Sequence, residues 1–288
     1  MKGKPMTYKT IVALHNVDDD AQAISEAVNL AAALEAHLSV VVIGLTPQPP
    51  MTSGYGAGAF EVWGAQFAEM QQEIATRVEA MEAWISGHLP SGPVTFDVSE
   101  EYSQAGTLAR EIGRRVRFAD LCVFTGAYDP DSFLMEQALR GALYDTGRPV
   151  LVMNGKSCPV NNLKRVMLAW DGGAQASIAI RHALPLLSGA EDVHIAMADP
   201  TSSTERFGDE PGADLAAYLA RYDIPVSVTP LSCEGRNVAD TLIRHASDMD
   251  AELIVMGGYG HTRLQDWFLG STTSRMLTGA DRPLLLAH

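Results

Sequence analysis

The sequence predicts an α/β fold of two tandem domains, each a five-stranded parallel sheet covered by helices on both faces. Three observations predict it. At 288 residues and 47% apolar composition the chain exceeds the comfortable range of one open α/β domain. Continuous apolar runs alternate with stretches of helical periodicity, which is the pattern of doubly covered strands joined by right-handed crossovers. The chain also writes one series of strands twice. "KTIVALH" from Lys9 corresponds to "KRVMLAW" from Lys164, "ADLCVFTGA" to "AELIVMGGY", and "RPVLVMN" from Arg148 to "RPLLLAH" from Arg282.

The elements follow in order. Each half opens on an apolar strand, and the next stretch, "DDDAQAISEAVNLAAALEA" or "AQASIAIRHALPLLSG", starts beside Asp or Gly and carries Ala, Leu and Ile at helical spacing. From Lys9 to Asp120 is 111 residues, whereas Lys164 to the matching Glu252 is 88, so the first half holds 23 additional residues. These are assigned to "TPQPPMTSGYGAGAF" and a longer helix behind it. The Gly/Pro-rich stretch 47–58 is expected to be a mobile loop. Residues 69–89 carry a Met, Ile, Val and Trp stripe at helical spacing, read as core. A proline begins each closing strand, where its missing N–H is tolerated. Gly, Pro, Ser and Asn crowd residues 154–164, which sets the domains at 1–157 and 158–288.

A net charge of -14 and a pI near 4.9 argue against nucleic acid or an anionic membrane as partner, since both need clustered Lys and Arg. Any bound anion must be held locally. Cys122, Cys158 and Cys233 lie far apart without metal spacing, so no metal site is expected. No signal-peptide pattern opens the chain and no apolar run approaches the roughly 20 residues of a membrane span. A soluble protein of the reducing cytoplasm is expected.

Ligands of open parallel sheets bind beyond the carboxyl ends of the strands, where neighbouring crossovers diverge. In the second half that rule selects "LAWDGG", which leaves the first strand with Asp171, and "GGYGHTRLQDWFLGSTTS", which leaves the fourth. Gly257 and Gly260 would let the main chain approach an anion or take positive φ, and Gly270, Ser271, Thr272 and Thr273 open a helix with N–H donors and hydroxyls. Asp171 suits ribose hydroxyls or an adenine amine. Plainer readings stand beside these: Asp171 as a helix cap, Trp170 as core filling, His261 as a solvated loop residue, and Arg263 as a loop-surface cation. The first half closes its equivalent turn with Asp129 in place of Gly260 and lacks a Gly-Ser pair, so the fold itself does not demand those residues.

The spacing Gly257, Gly260, Gly270, Ser271, with Asp171 at the end of the first strand, resembles the ATP-binding subclass of the universal stress protein family. The resemblance covers essentially the whole chain. It implies Rossmann-like domains related to adenine nucleotide alpha hydrolases, holding ATP, with Mg²⁺ as its companion, in the second. It further implies that Gly257, Tyr259 and Gly260 line the nucleotide and that Gly270, Ser271, Thr272 and Thr273 hold phosphates. Ala169 and Asp171 would meet adenosine, and Met256 and Met197 would flank the base. Trp170 and the pair Gly172-Gly173 depart from the smaller and hydroxyl-bearing residues usual there. The first domain, degenerate in its cradle, would stand in for a dimer partner through its closing strand, and further homodimerisation stays open.

No catalytic residue is assigned. The P-loop signature is missing, and residues 257–274 contain no lysine to follow charge on a leaving phosphate. An ATP-binding regulatory protein is therefore expected. Three alternatives remain: a slow ATPase, an adenylate-forming enzyme on the same sheet, and a binder of a non-nucleotide small molecule under the 47–58 loop.

Overall fold

The computed structural model describes residues 7–49, 57–90, 92–160, 162–200, 210–258 and 271–288. The first half runs β1 (Thr10–Asn16), α1 (Ser25–Leu34), β2 (His37–Leu45), α2 (Ala57–His88), β3 (Phe96–Ser103), α3 (Leu108–Val116), β4 (Leu121–Phe124), α4 (Phe133–Tyr144) and β5 (Val150–Val152). The second runs β6 (Arg165–Ala169), α5 (Ala174–Leu187), β7 (Asp192–Ala198), α6 (Ala213–Ala220), β8 (Val226–Leu231), α7 (Val238–Asp248), β9 (Leu253–Gly257), α8 (Ser271–Gly279) and β10 (Leu284–Ala287). A single ten-stranded sheet results, in the order β3-β2-β1-β4-β5-β10-β9-β6-β7-β8. Each half thus repeats one strand order, counted from its outer edge.

All pairings are parallel except one. β5 and β10 run antiparallel, with Val152 opposite Leu284, Leu151 opposite Leu285 and Val150 opposite Leu286. The closing strands therefore join the halves, and Asn154 reinforces the seam by donating from Nδ2 to the carbonyls of Ala280 (3.1 Å) and Arg282 (3.3 Å). Across the same boundary Tyr8 donates to the carbonyl of His182 at 2.6 Å.

The inner strands are buried along their length because helices cover both faces: β4, β5, β9 and β10 expose almost nothing. One core layer takes its helical side chains from α1, α2, α5 and α6, and the other from α3, α4, α7 and α8. The outermost strands, β3 and β8, are for the most part half-buried or exposed. Pro230 sits in β8, an edge strand, where a lost ladder donor is tolerated.

The additional residues of the first half build α2, 32 residues long against 8 in its counterpart α6. Ile74, Met81 and Ile85 form its buried stripe, at helical spacing, with Trp84 packed beside them. Residues 50–56 of the 47–58 stretch lie outside the described residues, and 57–58 begin α2. Among the described residues no helix is long and apolar enough to cross a membrane.

Candidate functional site

β6 pairs in parallel with β9 on one side and with β7 on the other. From β6 the chain enters α5, which packs on one face; the segment after β9 leads to α8, which packs on the opposite face. Diverging crossovers leave a crevice beyond the carboxyl ends of β6 and β9. Ala169 stands opposite Met256 in this ladder, so the Asp171 turn and the Gly257 segment leave the sheet from matched positions. α8 returns the chain to β10, parallel to β9, and so begins at the same carboxyl edge.

The Asp171 turn is locally determined. Asp171 Oδ1 accepts from the Gly173 N–H at 2.9 Å, which folds the carboxylate back over its own backbone. Gly172 takes φ +73°, a left-handed conformation that favours glycine. A side chain at Gly173 would meet Asp171 Oδ1 at 2.8 Å. At Gly172 the departure from the hydroxyl-bearing pattern therefore has a conformational cause. Asp171 closes the turn ahead of α5; the N-cap itself is Gly173, which has no side chain to cap the helix. The first N–H groups of α5 thus carry the positive end of a 14-residue helix at the crevice. That feature is written in the sequence only as "DGGAQ", with no capping residue directly before the helix.

Gly257 has a packing reason. A Cβ there would stand 2.5 Å from the Ala176 nitrogen and 2.8 Å from the Gln175 carbonyl carbon, so the first turn of α5 lies directly over the end of β9. The chain then continues to Gly258, whose N–H donates to the carbonyl of Ala287 at 2.8 Å and whose carbonyl lies 3.1 Å from His288 Nδ1. The His288 ring meets Tyr144 of α4 edge-on, with centroids 4.5 Å apart. Gly258 is thereby tied, through His288, to the first half.

The other expected residues divide. Ala169 and Met256 are buried side by side on the α7–α8 face, whereas Met197 points to the opposite face and packs against Gly212. The structure does not bring the two methionines together on one face. Trp170 is half-buried against the core, as the plainer reading has it. Ser271 begins α8, Thr272 is half-buried and Thr273 is buried. Tyr259, Gly260 and Gly270 lie outside the described residues, as do His261 and Arg263. Among the described residues no cluster of three or more His, Cys, Asp or Glu side chains is placed to hold a metal ion.

The matching crevice of the first half, between β1 and β4, is lined by its own side chains. Gly126 (φ +81°) has the Asp19 carboxylate against it, 3.1 Å from where a Cβ would stand. Burial and the neighbouring Asp18 raise the pKa of that carboxyl group. Asp129 is used to enter α4: its Oδ1 accepts from the Asp131 N–H at 2.9 Å, and Ser132 then caps the helix. His15 is 2% exposed and lies 3.1 Å from Thr125 Oγ1. Burial first, and then the Arg77 charge, lower its pKa from 6.5 to about 4, so it is neutral at pH 7.

The pH dependence follows from this shift. Below pH 6.5 the unfolded chain protonates this imidazole, and the folded chain does not until about pH 4. Its contribution to stability is complete above 6.5 and falls by about 3 kcal/mol as the pH drops through that window. Urea midpoints of wild type and His15→Gln, compared from pH 7 to 4.5, should differ in slope, with the variant flatter. Equal slopes would contradict the burial.

A strand-one carboxylate and the starts of α5 and α8 stand at the carboxyl edge of the sheet. Residues 162–288 match the Universal stress protein family model. Solved structures give the same architecture for the whole chain. A universal stress protein from Archaeoglobus fulgidus aligns at TM-score 0.60 and 15% identity, covering 96% of this chain and 97% of that one. A putative universal stress protein from Pseudomonas aeruginosa aligns at 0.56 and 17%, covering 97% and 93%. A functionally unknown protein from the same species aligns at 0.55 and 19%, covering 97% and 92%. At such identities the likeness is one of fold. Comparison with curated protein sequences finds no match. Within the universal stress protein match lie both the Asp171 turn and the segment leaving β9.

Proposed function

We propose that the chain is a stress-response regulatory protein whose second half, residues 158–288, holds ATP at the carboxyl edge between β6 and β9. The observation that carries this reading is the register of Ala169 with Met256, which sends the Asp171 turn and the glycine-rich segment out of the sheet side by side. Asp171 would receive ribose hydroxyls on its carboxylate. The starts of α5 and α8 would face the phosphates, with Gly257, Tyr259, Gly260, Gly270, Ser271, Thr272 and Thr273 along them and Mg²⁺ balancing their charge. Ala169 and Met256 would bound the base.

Binding rather than turnover is the proposed activity. The chain's own residues supply a carboxylate and backbone donors, and residues 257–274 hold no lysine to follow charge on a leaving group. The first half, residues 1–157, would offer β5 to β10 in the place of a partner subunit; the antiparallel register of the two strands supports this. The three unpaired, buried cysteines support a reducing cytoplasm.

Calorimetric titration of the full chain with ATP and Mg²⁺ tests the proposal. One site per chain is expected. Asp171→Asn keeps the acceptor for the Gly173 N–H and removes the charge, and it should weaken binding about tenfold. Absence of binding at millimolar ATP would overturn the reading, and release of AMP and pyrophosphate in the presence of a carboxylate acceptor would replace it with adenylate formation.

A further inference from the structure

The two closing strands end alike. Asn154 follows β5 at the position that His288 takes after β10, and the antiparallel register of the two strands makes these positions equivalent. Each residue bonds the segment that leaves the neighbouring strand of its own half: Asn154 Oδ1 accepts from the Tyr128 N–H at 3.4 Å, beyond β4, and His288 Nδ1 lies 3.1 Å from the Gly258 oxygen, beyond β9. Each also reaches the end of the other half's last helix. Asn154 Nδ2 donates to the carbonyl of Ala280, directly after α8, and the His288 ring meets Tyr144, the last residue of α4. The same latch is thus built twice, once with an amide and once with an imidazole.

The chemistry of the second latch follows from its acceptor. A carbonyl can only accept, so His288 Nδ1 carries the proton and donates to Gly258. The Gly258 N–H donates in turn to the carbonyl of Ala287 at 2.8 Å, so both backbone polar groups of this buried residue are held by consecutive residues at the end of β10. Leu143 of α4 stands 3.9 Å from where a Cβ at Gly258 would lie. Tyr144, by contrast, is 43% exposed and belongs to neither core layer. Its ring serves the contact with His288 rather than the packing of the first half.

Gly258 is the residue with which the chain leaves β9 for the glycine-rich segment. Helices of both halves bear on this strand end: α5 lies over Gly257, and α4 acts on Gly258 through Tyr144 and His288. Such a hold fixes the direction in which the segment starts, and a binding backbone ordered before its ligand arrives binds more tightly. We infer that Tyr144 and His288 are positioning residues for the site between β6 and β9, so that the first half sets the affinity of the second. The inference rests on the ATP reading of that site.

Amide hydrogen exchange of the full chain, followed by NMR, tests this together with ATP titration. In His288→Leu and Tyr144→Ala the Gly258 amide is expected to exchange at least about tenfold faster than in wild type. The Ile254 amide, which donates to the carbonyl of Pro283 further back along β9, should keep its rate. ATP affinity should fall about fivefold in both variants. His288→Asn supplies an amide donor in place of the imidazole and should recover most of both losses. Unchanged exchange at Gly258, equal acceleration at Gly258 and Ile254, or unchanged ATP affinity in both variants would overturn the inference. Exchange needs no ligand, so a wild type that fails to bind ATP would overturn the site reading alone, and the Gly258 rates would still decide whether the first half holds this residue.

Discussion

Gly257→Val is expected to lower the unfolding free energy by about 3 kcal/mol or more, read as a fall in the urea midpoint with little change in slope. The atoms that a new side chain would strike are backbone. The Ala176 nitrogen at 2.5 Å and the Gln175 carbonyl carbon at 2.8 Å belong to the first turn of α5 and cannot rotate away. Either α5 lifts from the sheet, uncovering Ala179, Ile180 and Ala183, or β9 bends at its end. The adjacent glycine is the control. A Cβ at Gly258 would find its nearest atoms, the Ala287 oxygen and the side chains of Leu143 and Leu286, at 3.6–3.9 Å, which is ordinary contact. Gly258→Ala should therefore stay within about 1 kcal/mol of wild type. Equal effects at the two positions would show that α5 does not press on β9 as described.

The contrast bears on what the sequence reveals. Glycine after a strand is readable as freedom to approach an anion, and the same residue is needed here because a helix crosses the strand end. Local pattern cannot separate these, since the helix arrives from about 80 residues earlier in the chain. The fold itself is legible, because continuous apolar strands with intervening helices leave few topologies open and the two halves state them twice. The lengthened α2 follows from comparing the two halves, the neighbouring of β6 and β9 from the switch-point rule, and the joining of the closing strands is what the family resemblance implies.

Other features stay hidden for the same physical reason. The Asp19 carboxylate against Gly126, and Tyr102 lying across Gly44, are contacts between residues distant in sequence. Asp129 is legible as a carboxylate unfriendly to phosphate, yet its use in entering α4 emerges only from the hydrogen bonds of its turn. Met197 lies on the face opposite Met256, because a shift of one residue along a strand transfers the side chain to the other face. Ala196, its neighbour, is the residue that shares a face with Ala169 and Met256.

The largest effect on ligand binding is expected from Gly270→Glu, a loss of at least about 100-fold in ATP affinity. Position 270 immediately precedes α8, the helix that starts at the carboxyl edge. A carboxylate there would meet the phosphates with like charge; two unit charges about 4 Å apart at an effective dielectric near 20 repel by about 4 kcal/mol, before screening by salt. In a chain of net charge -14 no general attraction makes up for it. Adenosine separates this cause from damage to the pocket, because it presents the same base and ribose without phosphates. Its affinity should change by less than about threefold in the variant, since the uncharged ligand feels little of the added carboxylate. Parallel losses for ATP and adenosine would mean that residue 270 shapes the adenosine end of the site, and unchanged ATP binding would mean that the phosphates lie away from the start of α8.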